Sequence, residues 1–282
     1  MSTQAQSETQ AKDQQRAHWN EVAEGWGAWL EWTERNFEPV TGWLRVASGW
    51  NENTRLLDLA SGAGYPALAA AADLRHGRVT ATDLSPAMLS VAARLAKTRG
   101  LTNLSFVEMD AETLRLNDSS IDVVTHAYGL MFCPVPARAV AEARRVLAPG
   151  GCYTVAVWDE PAKSPFFTVI RAAAEHHLAL QPPDPEAPGP FRLASAPLLR
   201  GLLEDAGFSG VRIESVPAIF ECASVAEYLQ IFGDFAWKAR VAALDDRQRR
   251  SFHDDVAEGA RPFMSGGRLR LTATSLCACG RK

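Results

Sequence analysis

Between Arg55 and Trp158, short apolar runs alternate with longer stretches in which apolar positions recur every three or four residues. The short runs are RLLDL (Arg55 to Leu59), RVTATD (Arg78 to Asp83), SFVEM (Ser105 to Met109), IDVVT (Ile121 to Thr125) and CYTVAVW (Cys152 to Trp158). Their near-continuous hydrophobicity is the pattern of strands buried on both faces. The longer stretches read as helices. Ser85 is placed as an N-cap with Pro86 at the first helical position, and Met88, Leu89, Ala92, Leu95 and Ala96 share one face before Gly100 stops the run. Pro136 opens a second helix with an inner face of Val140, Ala143, Val146 and Leu147, and Pro149-Gly150-Gly151 ends it. Alternating strand and helix predict an α/β fold with a parallel sheet and right-handed crossovers.

After Trp158 the rhythm loosens. The pattern predicts helices over Pro165 to Leu180 and Pro197 to Ala206, separated by QPPDPEAPGP, whose prolines exclude regular structure. A sixth strand follows at Gly210 to Val216, and a last one near Leu269 to Cys277. Helical stretches at Val225 to Arg240 and Asp245 to Phe263 fill the interval, which is too long for a plain connection and reads as a lid. At the other end, MSTQAQSETQAKDQQ is polar and reads as a disordered tail over residues 1–15. HWNEVAEGWGAWLEW then places Trp19, Trp26 and Trp29 on one helical face, although Gly25 and Gly27 predict a break. The expected organisation is a tail (1–15), an N-terminal helical cover (16–50), a cofactor-binding core (51–160) and the remaining core strands with a helical substrate lid (161–282).

Composition narrows the function classes. Hydrophobic residues are 47% and charged residues 22% of 282, with a formal net charge of −4. No basic excess argues for nucleic acid, and no polybasic run argues for a membrane surface. No stretch approaches the roughly 20 apolar residues of a membrane span, and no secretion signal is visible, so a cytoplasmic location is expected. The five cysteines are odd in number and irregularly spaced, which speaks against a disulfide framework. Cys277 and Cys279 read as strand residues, and no metal site is expected.

The candidate chemistry begins at LLDLASGAGYP, residues 56 to 66. A small-residue loop before a helix offers free N–H groups to an anion, and Gly62 to Ala67 satisfies the relaxed dinucleotide pattern. That signal is weak alone. Asp83 ends the second strand, where it can accept both ribose hydroxyls of either a dinucleotide or another nucleoside ligand. Asp58, at the end of the first strand, would repel a pyrophosphate but attract an ammonium. Asp110 ends the third strand, where it can accept from an adenine amino group. RVLAPGG leads directly into the fifth strand, a turn that dinucleotide folds do not call for. An adenosine carrying an amino acid fits the set, and S-adenosyl-L-methionine is such a ligand.

The segments LLDLASGAG, VTATDLSPAMLSVA, FVEMDAETL, DVVTHAYGL and RVLAPGG, in this order, resemble the class I S-adenosylmethionine-dependent methyltransferases, and most of all the ubiquinone and menaquinone biosynthesis C-methyltransferases. The resemblance spans Leu56 to Asp159. It implies a Rossmann-like, seven-stranded, mostly parallel sheet with an antiparallel last strand, helices on both faces and a helical lid. It also implies that Asp58 supports the methionine end of the cofactor and that Ala60, Ser61, Gly62 and Gly64 wrap it. Asp83 and Leu84 would hold ribose and adenine, Met88 would pack near the adenine, and Asp110, Ala111 and Glu112 would edge it. His126 would stand beside the sulfonium. The family's leading helix covers the cofactor, where Trp26 could close the site and offer a π face. Ala60 departs from the pattern, standing where the family usually has its first glycine; its methyl is expected to be a small intrusion. Other readings stand beside these: Asp58 as a helix cap, Met88 as core, Trp19 and Trp29 as packing.

The implied reaction is in-line methyl transfer to a small, mostly apolar or aromatic molecule, with the protein positioning the acceptor, excluding water and taking up a proton. His126 is the first candidate base, against the alternative that only its backbone meets the cofactor. Tyr128 would orient an acceptor or simply pack. His18, His176, His177 and His253 fall in helices and remain undecided. The lid carries Phe166, Phe167, Phe191, Tyr228, Phe232, Phe235 and Trp237, which agrees with an apolar acceptor. A small-molecule partner and no nucleic acid are expected, and a homodimer is left open. Three rivals stand beside this reading: a catalytically silent S-adenosylmethionine-binding protein of the same fold, an NAD-dependent oxidoreductase, and transfer to a protein or RNA, the last weakened on the RNA side by the absence of a basic groove.

Overall fold

The computed structural model of the protein describes residues 3–178, 180, 184 and 187–282. Three helices come first: α1 (Thr3–Ala28), α2 (Leu30–Asn36) and α3 (Glu38–Ser48). The core then alternates β1 (Arg55–Leu59), α4 (Ala67–Asp73), β2 (Arg78–Asp83), α5 (Pro86–Thr98), β3 (Leu104–Glu108), β4 (Ile121–Ala127), α6 (Pro136–Val146) and β5 (Leu147–Trp158). The remainder is α7 (Pro165–His177), α8 (Ala196–Asp205), β6 (Ser209–Cys222), α9 (Val225–Phe232), α10 (Lys238–Ala242), α11 (Asp246–Ala260), β7 (Met264–Ser265) and β8 (Arg268–Arg281). Of the proline-rich loop, Gln181 to Pro183, Pro185 and Glu186 lie outside the described residues.

The sheet runs β3-β2-β1-β4-β5-β8-β6. Neighbours from β3 to β5 are parallel, and β8 is antiparallel to both β5 and β6. This is the expected Rossmann-like architecture with an antiparallel last strand; the two-residue β7, which pairs with β8, is an addition. The order reverses between β1 and β4, and in open α/β sheets ligands sit at the carboxyl ends of the strands at such a point. The local chemistry follows the sequence closely at α5, where Ser85 Oγ accepts the Met88 N–H and Pro86 stands in the first turn. The strands β6 and β8 are longer than the pattern suggests. Trp158, the end of β5, pairs with Ser275, and beyond it Pro217–Cys222 and Leu269–Thr274 run on as a pair past β5, an overhang that carries the helices between them.

The tail requires a correction: residues 3–15, expected to be disordered, form the first half of α1. Hydrophobic periodicity does not reveal this half because polar side chains dock it. Glu8 pairs with Arg138 at 2.5 Å and Lys12 with Asp110 at 2.7 Å. The helix also passes through Gly25 without a break. A Cβ there would lie 2.3 Å from the Asp234 carbonyl oxygen, so glycine is what lets α1 lie against the lid. The helix expected over Val225 to Arg240 is interrupted instead by a wider turn at Gly233–Trp237.

Candidate cofactor and acceptor site

The loop after β1 is zipped to the end of β2. Ser61 N–H donates to the Thr82 carbonyl (2.9 Å), Thr82 N–H donates to Ser61 Oγ (3.1 Å), and Ser61 Oγ–H donates to the Asp58 carbonyl (3.0 Å). Asp83 fastens the same loop: its carboxylate accepts the Gly62 N–H at 2.9 Å and the Ser85 N–H at 2.8 Å. Burial pushes its carboxyl upward against these bonds. Gly64 has φ +116°, and a Cβ there would lie 2.7 Å from Leu68, so only glycine fits. Gly62 faces open space, with nothing within 4 Å of a built Cβ.

Ala60 is left-handed, at φ +53°. Its methyl is accommodated by Gly129, where a Cβ would fall 2.4 Å from that of Ala60. The intrusion expected from the sequence is therefore met by a backbone, and its cost is the left-handed conformation itself, about 1–2 kcal/mol.

A cavity of about 750 Å³ opens from this loop. Ala60, Ser61, Gly62, Asp83, Leu84 and Met88 form one end of its wall, and Asp110, Ala111 and Glu112 continue it. Asp110 and Glu112 both pair with Lys12, at 2.7 and 2.8 Å, while Glu112 also accepts the Val135 N–H at 2.8 Å. The opposite end is aromatic. Tyr128, Trp158 and Phe220 come from the sheet and its strand ends, Trp32 and Phe37 from α2 and its end, and Phe166, Phe167, Phe191, Phe232, Phe235 and Trp237 from the segments that follow β5. Tyr228 is instead buried beneath that wall, donating to the Phe166 carbonyl at 2.6 Å.

Two of the expected site residues, Asp58 and His126, are placed differently from their assigned roles. Asp58 is buried away from the cavity wall. One carboxylate oxygen accepts the Thr125 hydroxyl at 2.6 Å and the other has no partner among the described residues. Burial pushes this carboxyl up to about 7. The Ala67 N–H, the first of α4, and neighbouring hydroxyls act against that burial. His126 is also absent from the wall. Side chains alternate along β4, and the alternation that turns Ala127 toward the cavity sends the His126 ring into the packed layer. There its Nδ1 meets the Tyr153 hydroxyl at 3.0 Å, and burial drives its pKa down to about 3. The ring has neither access to an acceptor nor the basicity to take its proton. Trp26 does line the cavity, but Phe235 covers one of its faces, stacked at 4.0 Å. Tyr128 is in the wall with φ +60°, its hydroxyl bonded to Ser275 Oγ at 2.7 Å and its ring stacked on Trp158 at 4.4 Å.

The polar stripe of α1 is a part of the site that sequence reasoning missed. Arg16 Nε donates to the Leu84 carbonyl at 3.1 Å, and Ser85 Oγ donates to Asn20 at 2.7 Å. With Lys12 these residues recur every four positions, a spacing that marks one helical face. That was the available signal.

A family profile described as "Methyltransferase domain" matches residues 57–155. A demethylmenaquinone methyltransferase of Thermus thermophilus is 39% identical over 117 residues, covering 42% of this chain and 53% of that protein. A ubiquinone/menaquinone biosynthesis C-methyltransferase of Methylobacterium nodulans is 36% identical over 169 residues, covering 56% of this chain and 66% of that protein. The chain thus spans between half and two thirds of the length of these relatives. Among solved structures, the YcgJ protein of Bacillus subtilis is similar with a TM-score of 0.57 at 17% identity, covering 86% of this chain and 97% of that one. The cyclase SpnF is similar with a TM-score of 0.54 at 22% identity, covering 86% and 79%. These two likenesses concern the fold. The matched segment, Leu57 to Val155, is a methyltransferase domain of the class I S-adenosylmethionine-dependent kind, and it is similar to the ubiquinone and menaquinone biosynthesis enzymes.

Proposed function

We propose that the protein transfers the methyl group of S-adenosylmethionine to a small, apolar, ring-bearing acceptor. The observation that carries this reading is the continuity of one cavity from the Gly62–Asp83 loop to an aromatic wall of Trp32, Phe37, Trp158 and Phe220. The residues at the loop end suit this cofactor better than a dinucleotide. The wall carries three carboxylates, Asp83, Asp110 and Glu112, and a single lysine that pairs with the last two, a poor setting for a diphosphate and a good one for hydroxyls and a cation. The open space at Gly62 lets a ligand approach the backbone. When bound, S-adenosylmethionine supplies a methyl group already activated on a sulfonium.

The chain's own residues then have distinct tasks. Asp83 accepts ribose hydroxyls, held in place by the Gly62 and Ser85 N–H groups. Leu84, Met88 and Ala111 pack the base, and Lys12 closes over it from α1. The aromatic wall takes the acceptor ring and excludes water, which strengthens electrostatic interactions in the site. Two relatives carry names from menaquinone and ubiquinone biosynthesis, which agrees with a ring-bearing acceptor.

Calorimetry tests the cofactor half. S-adenosylhomocysteine is expected to bind and NADH is not. Asp83→Ala should weaken S-adenosylhomocysteine about 10- to 100-fold, the equivalent of losing a hydrogen bond to a charged group at roughly 1.5–3 kcal/mol. Mass detection of methylated products from a panel of hydroxylated benzenes and naphthalenes tests the acceptor half. NADH binding in place of S-adenosylhomocysteine would overturn the reading, and binding without turnover of any acceptor would leave only a cofactor-binding protein.

A further inference from the structure

We infer that His18, on α1, is the base that takes the hydroxyl proton of the acceptor. The inference rests on the methyl-transfer reading above. His18 lines the same cavity as the Asp83 loop and the aromatic wall. Its ring lies 5.0 Å from that of Trp19, edge to face, and Trp19 in turn meets Phe132 at 5.1 Å. Phe132 ends the short turn that follows β4, so Trp19 rests on the connection that leaves the switch point of the sheet, and the His18 ring stands beside Trp19 in the same cavity wall. Neither ring nitrogen has a hydrogen-bond partner among the described residues, and both stay free for a ligand.

The other titratable groups of the wall are committed. Lys12 holds Asp110 and Glu112, and Asp83 holds two backbone N–H groups. The Tyr65 and Tyr128 hydroxyls bond to Thr41 and Ser275, and burial raises both. Burial likewise raises the Cys133 thiol. On the lid side, Arg171 is tied to Glu175 at 2.7 Å, and Arg240 is a guanidinium that does not give up its proton. His18 is the remaining group that exchanges a proton near neutrality. Partial burial lowers its pKa, so the imidazole is neutral and able to accept. Glu21, one turn further along α1, acts in the opposite direction and favours the imidazolium once formed.

The step balances. The acceptor O–H bond breaks and its proton goes to an imidazole nitrogen. The electron pair released on oxygen forms the new bond to the methyl carbon. The carbon–sulfur bond breaks and its pair stays on sulfur, giving the neutral thioether. The proton then leaves His18 for solvent.

Two measurements test this. With protein saturated in S-adenosylhomocysteine, the His18 ring resonances are followed by NMR as 2-naphthol is added; they should move, and His18→Gln identifies them by their loss. With S-adenosylmethionine and the best acceptor of the panel, His18→Gln should lower kcat at pH 7 by 100-fold or more, in the usual range for a general base, while S-adenosylhomocysteine affinity stays within twofold. The variant's residual rate should climb with pH as the acceptor ionises by itself. Turnover within threefold of wild type across pH, or His18 resonances unmoved by bound 2-naphthol, would overturn the inference. If the variant does not fold, the wild-type resonances decide. If 2-naphthol does not bind, the aromatic-acceptor reading falls and the inference with it; if S-adenosylhomocysteine does not bind, the fault lies in the cofactor assignment.

Discussion

His126 and Asp58 lie deep in the sheet and titrate in opposite senses, which makes them separable in pH-dependent stability. His126 has a folded pKa of about 3 against an ordinary 6.5. Between those values the unfolded chain binds more protons than the folded one, so the contribution is intact above about 6.5 and is lost as pH falls toward 3. His126→Gln should therefore lose less melting temperature than the wild type between pH 7 and pH 5, and methyl transfer should persist. Asp58 is the reverse case, raised from 3.8 to about 7. Here the folded state binds the extra proton, so stability falls as pH rises through that window. Asp58→Asn should gain melting temperature relative to wild type from pH 5 to pH 8. A constant difference at all pH values would refute either assignment. The sequence identified both as strand-end residues. It did not reveal that His126 faces the packed layer, because alternation along β4 assigns sides only once the wall containing Ala127 is known.

Helix α1 is an element held at its N-terminal half by ion pairs and at its C-terminal half by packing. Val22 and Ala23 are buried against Ala63, Met88 and Val91, while residues 8–16 rely on Arg138, Asp110, Glu112 and Leu84. Lys12→Met removes the cation from Glu112, whose side chain is only 1% exposed. Glu112 keeps the Val135 N–H and a more distant Arg138 at 3.9 Å, and losing its nearest cation should cost about 1–3 kcal/mol. Amide hydrogen exchange should quicken in residues 3–16 and change little beyond Val22; uniform protection would count against the ionic latch. The tryptophan spacing made the second half of this helix legible. The first half was not, because a docked polar helix and a solvated polar tail share one composition, and only the partners in the loop after β3 and on α6 tell them apart.

At the scale of the molecule, cofactor and fold are thermodynamically linked. A ligand at about 100 times its Kd adds roughly 2.7 kcal/mol to a protein it binds only when folded. For a chain of this size that corresponds to a rise in melting temperature of about 5–10 °C with S-adenosylhomocysteine. No shift at saturation would mean that the loop end of the cavity is not its site. The sheet was readable because each core strand is a short apolar run bounded by turn chemistry. The lid was readable only as a length of chain rich in aromatics, since nothing local says which of them meet the cavity. Phe37, Trp158 and Phe220 complete the wall from three separate elements that only the fold brings together.

The central position of β8 has a consequence for how the chain matures on the ribosome. β6 finds its neighbour only in β8, which is synthesised after the lid helices. Until that strand slots in beside β5, the half-sheet from β3 to β5 can assemble, but the aromatic-rich lid segment lacks the strand pair that carries it and has only helices such as α1 and α7 to rest on. A nascent chain stalled before Arg268 therefore presents a sticky, loosely seated flank to chaperones, and a stop codon there would yield insoluble product even though every residue of the matched methyltransferase segment is intact.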